Sequence, residues 1–126
     1  MKAFLPSLLI LAASVSAAAL NCGIIARKTV LWDEKISQSE VQAQAGDWSS
    51  AEKLLKKMQK SWDNSRTYLR ITIRHEELDS VETLCSRAAV AADQRERADF
   101  LGETAELRSR LRLLSEMEQF KLGSIF

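Results

Sequence analysis

His75-Glu76-Glu77-Leu78-Asp79 is the stretch whose residue types and spacing come nearest to chemistry. It almost matches the His-Glu-x-x-His pattern that places two zinc ligands on one helix face, with Asp79 where the second histidine belongs. On a helix His75 and Asp79 sit one turn apart, so both can face one ion, with Glu82 in reach. A zinc site takes three or four ligands, however, and His75 is the chain's only histidine. The residues are therefore read as a polar cluster of His75, Glu76 and Asp79, in which a histidine on the Ile71-to-Leu78 stripe hydrogen-bonds a carboxylate. Nothing in the spacing pairs a serine or cysteine with this histidine, and no glycine-rich loop could cradle a phosphate. The expectation is a protein that is not an enzyme, with no catalytic residue, metal ligand or cofactor.

Basic residues recur at helical spacing in two places. Lys53, Lys56, Lys57 and Lys60 form one stripe, and Arg66, Arg70 and Arg74 form another, expected on the following helix. Packed antiparallel, the two would merge into an interaction surface facing lipid or a polymer. Anionic lipid contributes roughly 1 kcal/mol per basic residue near its surface. The plainer reading is a solvated face balanced by Glu52, Glu76 and Glu103. The chain holds 18 Lys+Arg against 17 Asp+Glu. With Lys2 set aside the body is neutral, which excludes nucleic acid as an electrostatic partner.

These side chains must be carried by something, and the charge distribution says what. Ala3 to Ala26 carry no charge, and the densely charged remainder has helical periodicity. A helix needs about 20 apolar residues to cross a hydrocarbon layer of about 30 Å, which this segment supplies. Pro6 stands near its start, where a missing N–H costs little. The rival is a cleaved signal peptide: Lys2, the apolar run to Ala13, then Ala17-Ala18-Ala19 as the cleavage site. Uncharged residues continue past Ala19 to Ile24 and Ile25, which favours an anchor. Leu20 and Asn21 before Cys22 do not suit a lipoprotein signal. Lysine and arginine counts slightly favour a cytoplasmic body, whereas the short, signal-like N-terminus favours a translocated one. The translocated arrangement is preferred.

The body reads as four helical stretches. The first covers residues 27–45, with Leu31, Trp32, Ile36, Val41 and Ala45 as an imperfect stripe. Gly46-Asp47 ends it, the glycine allowing a turn and Asp47 capping the next helix. In the second, Trp48, Ala51, Leu55, Met58 and Trp62 recur at alternating three- and four-residue steps, widened by Leu54. Asp63-Asn64-Ser65 reads as a break. A third helix then carries Tyr68, Ile71, His75, Leu78, Val81, Cys85 and Ala88 to about Ala92, in spite of the β-branched run Ile71-Thr72-Ile73. The fourth carries Phe100, Leu101, Ala105, Leu107, Leu111, Leu114 and Met117. The apolar tail with Phe120, Leu122, Ile125 and Phe126 is expected to fold back on the bundle or to engage a partner. Trp48 and Trp62 read as core, and Trp32 as either core or interfacial. Cys22 and Cys85 are placed too far apart to form a disulfide.

Gly46-Asp47-Trp48, the Ala51-to-Leu55 run, Trp62 and His75-Glu76-Glu77-Leu78-Asp79 together resemble the bacterial family known as domain of unknown function 4363. The resemblance spans nearly the whole chain. It implies a membrane-anchored helical protein of mostly Gram-positive, anaerobic bacteria, and it carries over no activity and no catalytic residue. Gly46-Asp47-Trp48-x-x-Ala51 also resembles the second-helix start of a tetratricopeptide repeat, but no repeat of about 34 residues follows.

The fold expected is all-α: an N-terminal transmembrane helix followed by an antiparallel three- or four-helix bundle. Residues 1–26 would be the anchor or signal segment and residues 27–126 the bundle domain. The expected role is a non-catalytic structural or protein-interaction module at the bacterial cell envelope. Its partners would be membrane lipid through residues 3–26 and a protein partner or second copy. The alternatives are a secreted helical binding module and, last, a metal-dependent enzyme centred on His75.

Overall fold

A computed structural model describes residues 4–125, and these form four helices with no strand among them: α1 (Phe4–Gln44), α2 (Trp48–Thr72), α3 (His75–Asp93) and α4 (Arg97–Ile125). Each packs against the next, and α4 closes back on α1, so the four stand around one core as an up-and-down bundle. Lys2 and Phe126 lie outside the described residues.

All four helices bury residues at alternating four- and three-residue steps. In α1 the seam is Ile25, Thr29, Trp32, Ile36, Ser39 and Ala43. In α2 it is Ala51, Leu55, Met58, Trp62, Ser65 and Leu69. In α4 it is Phe100, Thr104, Leu107, Leu111, Leu114 and Glu118. A 3.5-residue spacing is the geometry of coiled-coil seams, in which side chains interdigitate between helices crossing at about 20°. The polar members are satisfied locally. Thr29 and Thr104 donate to carbonyls three residues back, Ser65 donates to Ser61 O, and Ser39 Oγ donates across to Ala51 O at 2.7 Å.

Two clusters make up the core. Near the α1–α2 and α3–α4 turns, Ala43, Ala51, Ala88, Ala91 and Ala92 surround Leu55 and Phe100. Trp48 lies at the rim of this cluster, its ring edge-on to Phe100 at 5.6 Å. In the other half larger side chains meet, among them Trp32 and Trp62, whose rings touch edge-to-face at 5.0 Å. Trp32 is thus a core residue, and its indole N–H donates to Ser61 Oγ at 2.9 Å.

The two turns at the alanine-rich end use the same hydrogen bonds. Asp47 N donates to Gln42 O and Gly46 N to Ala43 O, with Gly46 at φ +81°. Glu96 N donates to Ala91 O and Arg95 N to Ala92 O, with Arg95 at φ +57°. Both are Schellman closures, the first with the glycine that the left-handed conformation favours. Asp47 caps α2 as expected, accepting from Ser50 N and Ser50 Oγ, and these bonds hold its carboxyl below its ordinary range.

Several expectations fail, each for a physical reason. The anticipated break at Asp63-Asn64-Ser65 is not one: α2 runs on to Thr72, because Ser65 occupies a seam position and spends its hydroxyl inside the bundle. The helix ends instead at the β-branched run, where Ile73 is extended (φ −118°, ψ 144°). The third helix therefore begins at His75, leaving Tyr68 and Ile71 on α2. Leu31 and Val41 are exposed, since Thr29 and Ser39 hold the seam positions. Ala105 is exposed for the same reason, displaced by Thr104. The C-terminal tail does not fold back; it continues α4, with Phe120 exposed.

Candidate functional site

The end of the bundle where α1 leaves it holds the densest polar constellation. α1 is one unbroken helix, and its seam reaches down to Ile25, inside the uncharged segment. Below that, Asn21 turns its amide toward α2 and α4. Its Nδ2 donates to Glu118 Oε2 at 3.3 Å, and Tyr68 O–H donates to its Oδ1. Glu118 is the last seam residue of α4 and is buried. Its other oxygen accepts from Lys121 Nζ at 3.0 Å, and the same ammonium donates to Thr72 O, the last carbonyl of α2, at 3.4 Å. A buried carboxylate is tolerated only when paired and hydrogen-bonded, and here both oxygens are engaged. The cluster locks α1, α2 and α4 in register at one level.

A second strap lies halfway up. Arg108 on α4 forks onto Asp33 through Nε at 2.7 Å and Nη2 at 3.3 Å, and its Nη1 donates to Glu40 at 3.0 Å. The bond to Asp33 is the main reason the guanidinium holds its proton more firmly than usual. The strap borders an open groove of about 540 Å³ between α1 and α4, lined by Thr29, Val30, Asp33, Arg108, Arg112 and Ser115 among others. Lys28 Nζ to Ser65 Oγ, at 3.0 Å, ties α1 to α2 on another side.

The residues singled out from sequence lie elsewhere. His75 opens α3 at the surface rather than sitting on an apolar stripe, with its side chain 72% exposed and Nε2 3.4 Å from Asp79. The pair is an exposed contact between residues one turn apart rather than a buried hydrogen bond, and Glu76 is also exposed. Acidic Glu76 and Glu77 in the first turn suit the positive end of a helix dipole. Among the described residues no group of three or more His, Cys, Asp or Glu side chains could hold a metal ion.

Apart from Arg74, the two basic stripes are on one helix, not two. Lys53, Lys56, Lys57 and Lys60 are exposed on α2, on the face opposite its buried seam. Arg66 is turned toward α3, where its Nε lies 3.1 Å from Glu82 Oε1. Arg70, near the end of α2, and Arg74, in the link to α3, are exposed. The lysines and Arg70–Arg74 therefore occupy different heights on the bundle.

Asn21, Tyr68, Glu118 and Lys121 were not anticipated as a group, nor was the Arg108 strap. A seam register traced through polar positions would have flagged Glu118, a carboxylate in a buried slot. Both cysteines are free thiols. Burial, with Asp63 and Glu82 nearby, pushes the Cys85 thiol up to about 12.

The fold thus defines a four-helix bundle carried on a long helix whose N-terminal half is apolar. Among the described residues α1 is the one helix long and apolar enough to cross a membrane, a condition that a signal sequence near the N-terminus also meets. The sequence matches the family described as Domain of unknown function (DUF4363) over residues 23–125, and the chain belongs to that family. No curated protein and no solved structure matches it.

Proposed function

We propose that the protein is a non-catalytic structural or protein-interaction module, held at the bacterial cell envelope by an uncleaved N-terminal membrane helix. The observation that carries this reading is the continuity of α1 from Phe4 to Gln44. Its first half exposes Leu5, Leu9, Ile10 and Leu11 to the surroundings, and its second half supplies a full seam of the bundle. Such a joint leaves no flexible linker between anchor and body. The bundle would stand at a fixed height and angle on the membrane, which suits a spacer or docking platform.

The test is protease access to an epitope inserted in the exposed Gln94–Glu96 turn, at the far end of the bundle. In wall-stripped cells, a membrane-bound epitope destroyed by external protease supports the anchored, outward-facing body. A protected, membrane-bound epitope reverses the topology, and an epitope in the medium rejects the anchor.

One observation keeps the secreted alternative in play. Among the described residues the interhelical hydrogen bonds of α1 begin at Asn21 and its fully buried side chains at Ile25, so cleavage after Ala19 would release the bundle with that core intact.

A further inference from the structure

The lower end of the bundle exposes large apolar side chains on three different helices at one height. The hydrogen bonds fix that height: Asn21 meets both Glu118 and Tyr68, and Lys121 meets Thr72 O. At this level Leu20 on α1 is 69% exposed, Ile71 on α2 81% and Phe120 on α4 79%. Their positions along each helix put them on the side away from the seam, so they point outward in different directions around the bundle. A protein groove or a second copy would cover one of these directions. A medium that surrounds the bundle covers all of them together.

α4 also overshoots the α2–α3 link. Beyond Lys121, which reaches the last carbonyl of α2, the helix continues to Ile125, a further rise of about 6 Å. There it runs antiparallel beside α1, and Leu122 comes level with Ala18. Both are partly buried, as is Val15 one turn further along, although Ala17 and Ala19 are exposed. The interfacial layer on each side of a bilayer is about 5–8 Å thick, a depth that this overshoot matches.

Basic side chains stand just above or at the same level. Arg27 and Arg70 lie one to two turns toward the bundle from Leu20 and next to Ile71 respectively, Arg74 is in the link, and Lys121 follows Phe120. Arg27 and Arg70 stand on the bundle side of the apolar residues and Arg74 and Lys121 level with or beyond them, beside the exposed His75 and Glu76 of α3; long cations of this kind reach back to headgroups from an apolar boundary.

We propose that the bundle is seated in the membrane rather than held clear of it. Leu20, Ile71, Phe120 and the last turn of α4 enter the boundary of an anionic bilayer, and Arg27, Arg70, Arg74 and Lys121 contact its headgroups. This rests on the anchored reading above and adds a second, C-terminal contact to the N-terminal one. The exposed Phe120 of α4 then has an occupant, and the angle of the bundle is set by contacts on several sides.

The test uses the full chain in nanodiscs of phosphatidylcholine with or without phosphatidylglycerol. In a Cys22→Ser background, with buried Cys85 left in place, single cysteines at Ser16, Ile71, Phe120 and Val90 carry an environment-sensitive nitrobenzoxadiazole label. With anionic lipid present, the labels at 16, 71 and 120 should be blue-shifted and reduced by dithionite about tenfold more slowly than the label at 90. Protection at 16 with rapid reduction at both 71 and 120 overturns the seat and leaves the anchor standing. Rapid reduction at 16 overturns the anchor and the seat with it. Without phosphatidylglycerol, reduction at 71 and 120 should quicken several-fold; an unchanged rate overturns the selection of anionic headgroups. Circular dichroism of each labelled protein verifies that the helices are intact.

Discussion

The two ends of this bundle are built from opposite materials. The end with the α1–α2 and α3–α4 turns is closed: two Schellman turns end the helices, Asp47 caps α2, and alanines draw the helices together around Leu55 and Phe100. The other end has one short link, a buried carboxylate, a tyrosine and an asparagine in its interior, and exposed apolar side chains outside. The open end is inverted, polar within and apolar without, which is the order expected where a protein meets lipid. Stability resides in the first arrangement and in the tryptophan layer.

Breaking the closed end should have the largest effect. Phe100→Ala removes the largest fully buried side chain from the alanine cluster and should cost about 3–5 kcal/mol, read as a lowered urea midpoint. The tryptophan half can be probed through Cys85, whose folded-state thiol lies above its ordinary 9.0, at about 12. The raised value means that stability is fully present below pH 9. As pH rises towards 12 the unfolded thiol ionises while the folded one does not, and stability falls by about 1 kcal/mol per pH unit. Cys85→Ala should show a shallower decline over that range; an unchanged slope would mean that the thiol is not held in the core. Arg108→Met deletes the strap between α1 and α4 and leaves Asp33 and Glu40 without their shared cation. A loss of about 1–2 kcal/mol is expected at low salt, shrinking as salt is added.

The smallest effects come from the paired turns. Gly46→Ala puts a Cβ on a residue at φ +81°, whereas Arg95→Gly removes one at φ +57°. The first should destabilise and the second stabilise, each by about 1 kcal/mol. Thermal melts of the two variants should move in opposite directions, and a shift of the same sign in both would contradict the assignment of matching turns.

The fold class and the faces of α2 and α4 were legible in the sequence because Leu55, Met58, Trp62, Leu107, Leu111 and Leu114 state the period in apolar residues. α1 was less legible, since Thr29 and Ser39 occupy seam slots and Leu31 and Val41 draw the eye to the exposed face. The end of α2 was misplaced because Asp63-Asn64-Ser65 has the composition of a cap, while Ser65 hydrogen-bonds within its own helix. The polar constellation joins residues as distant as Asn21 and Glu118, which only the closed bundle brings together. His75 and Asp79 could be set one turn apart because both lie on a single helix, but the apolar stripe assigned to His75 could not hold, since that helix begins at His75 itself.

The central claim is that the apolar half of α1 stays attached and holds the bundle on the membrane. Intact-mass measurement of the protein, purified separately from membrane and medium fractions, tests it most directly. The account predicts one membrane-extracted species of about 14.2 kDa, the mass of the whole chain. A soluble species beginning near Leu20 would contradict it and make the bundle a released domain.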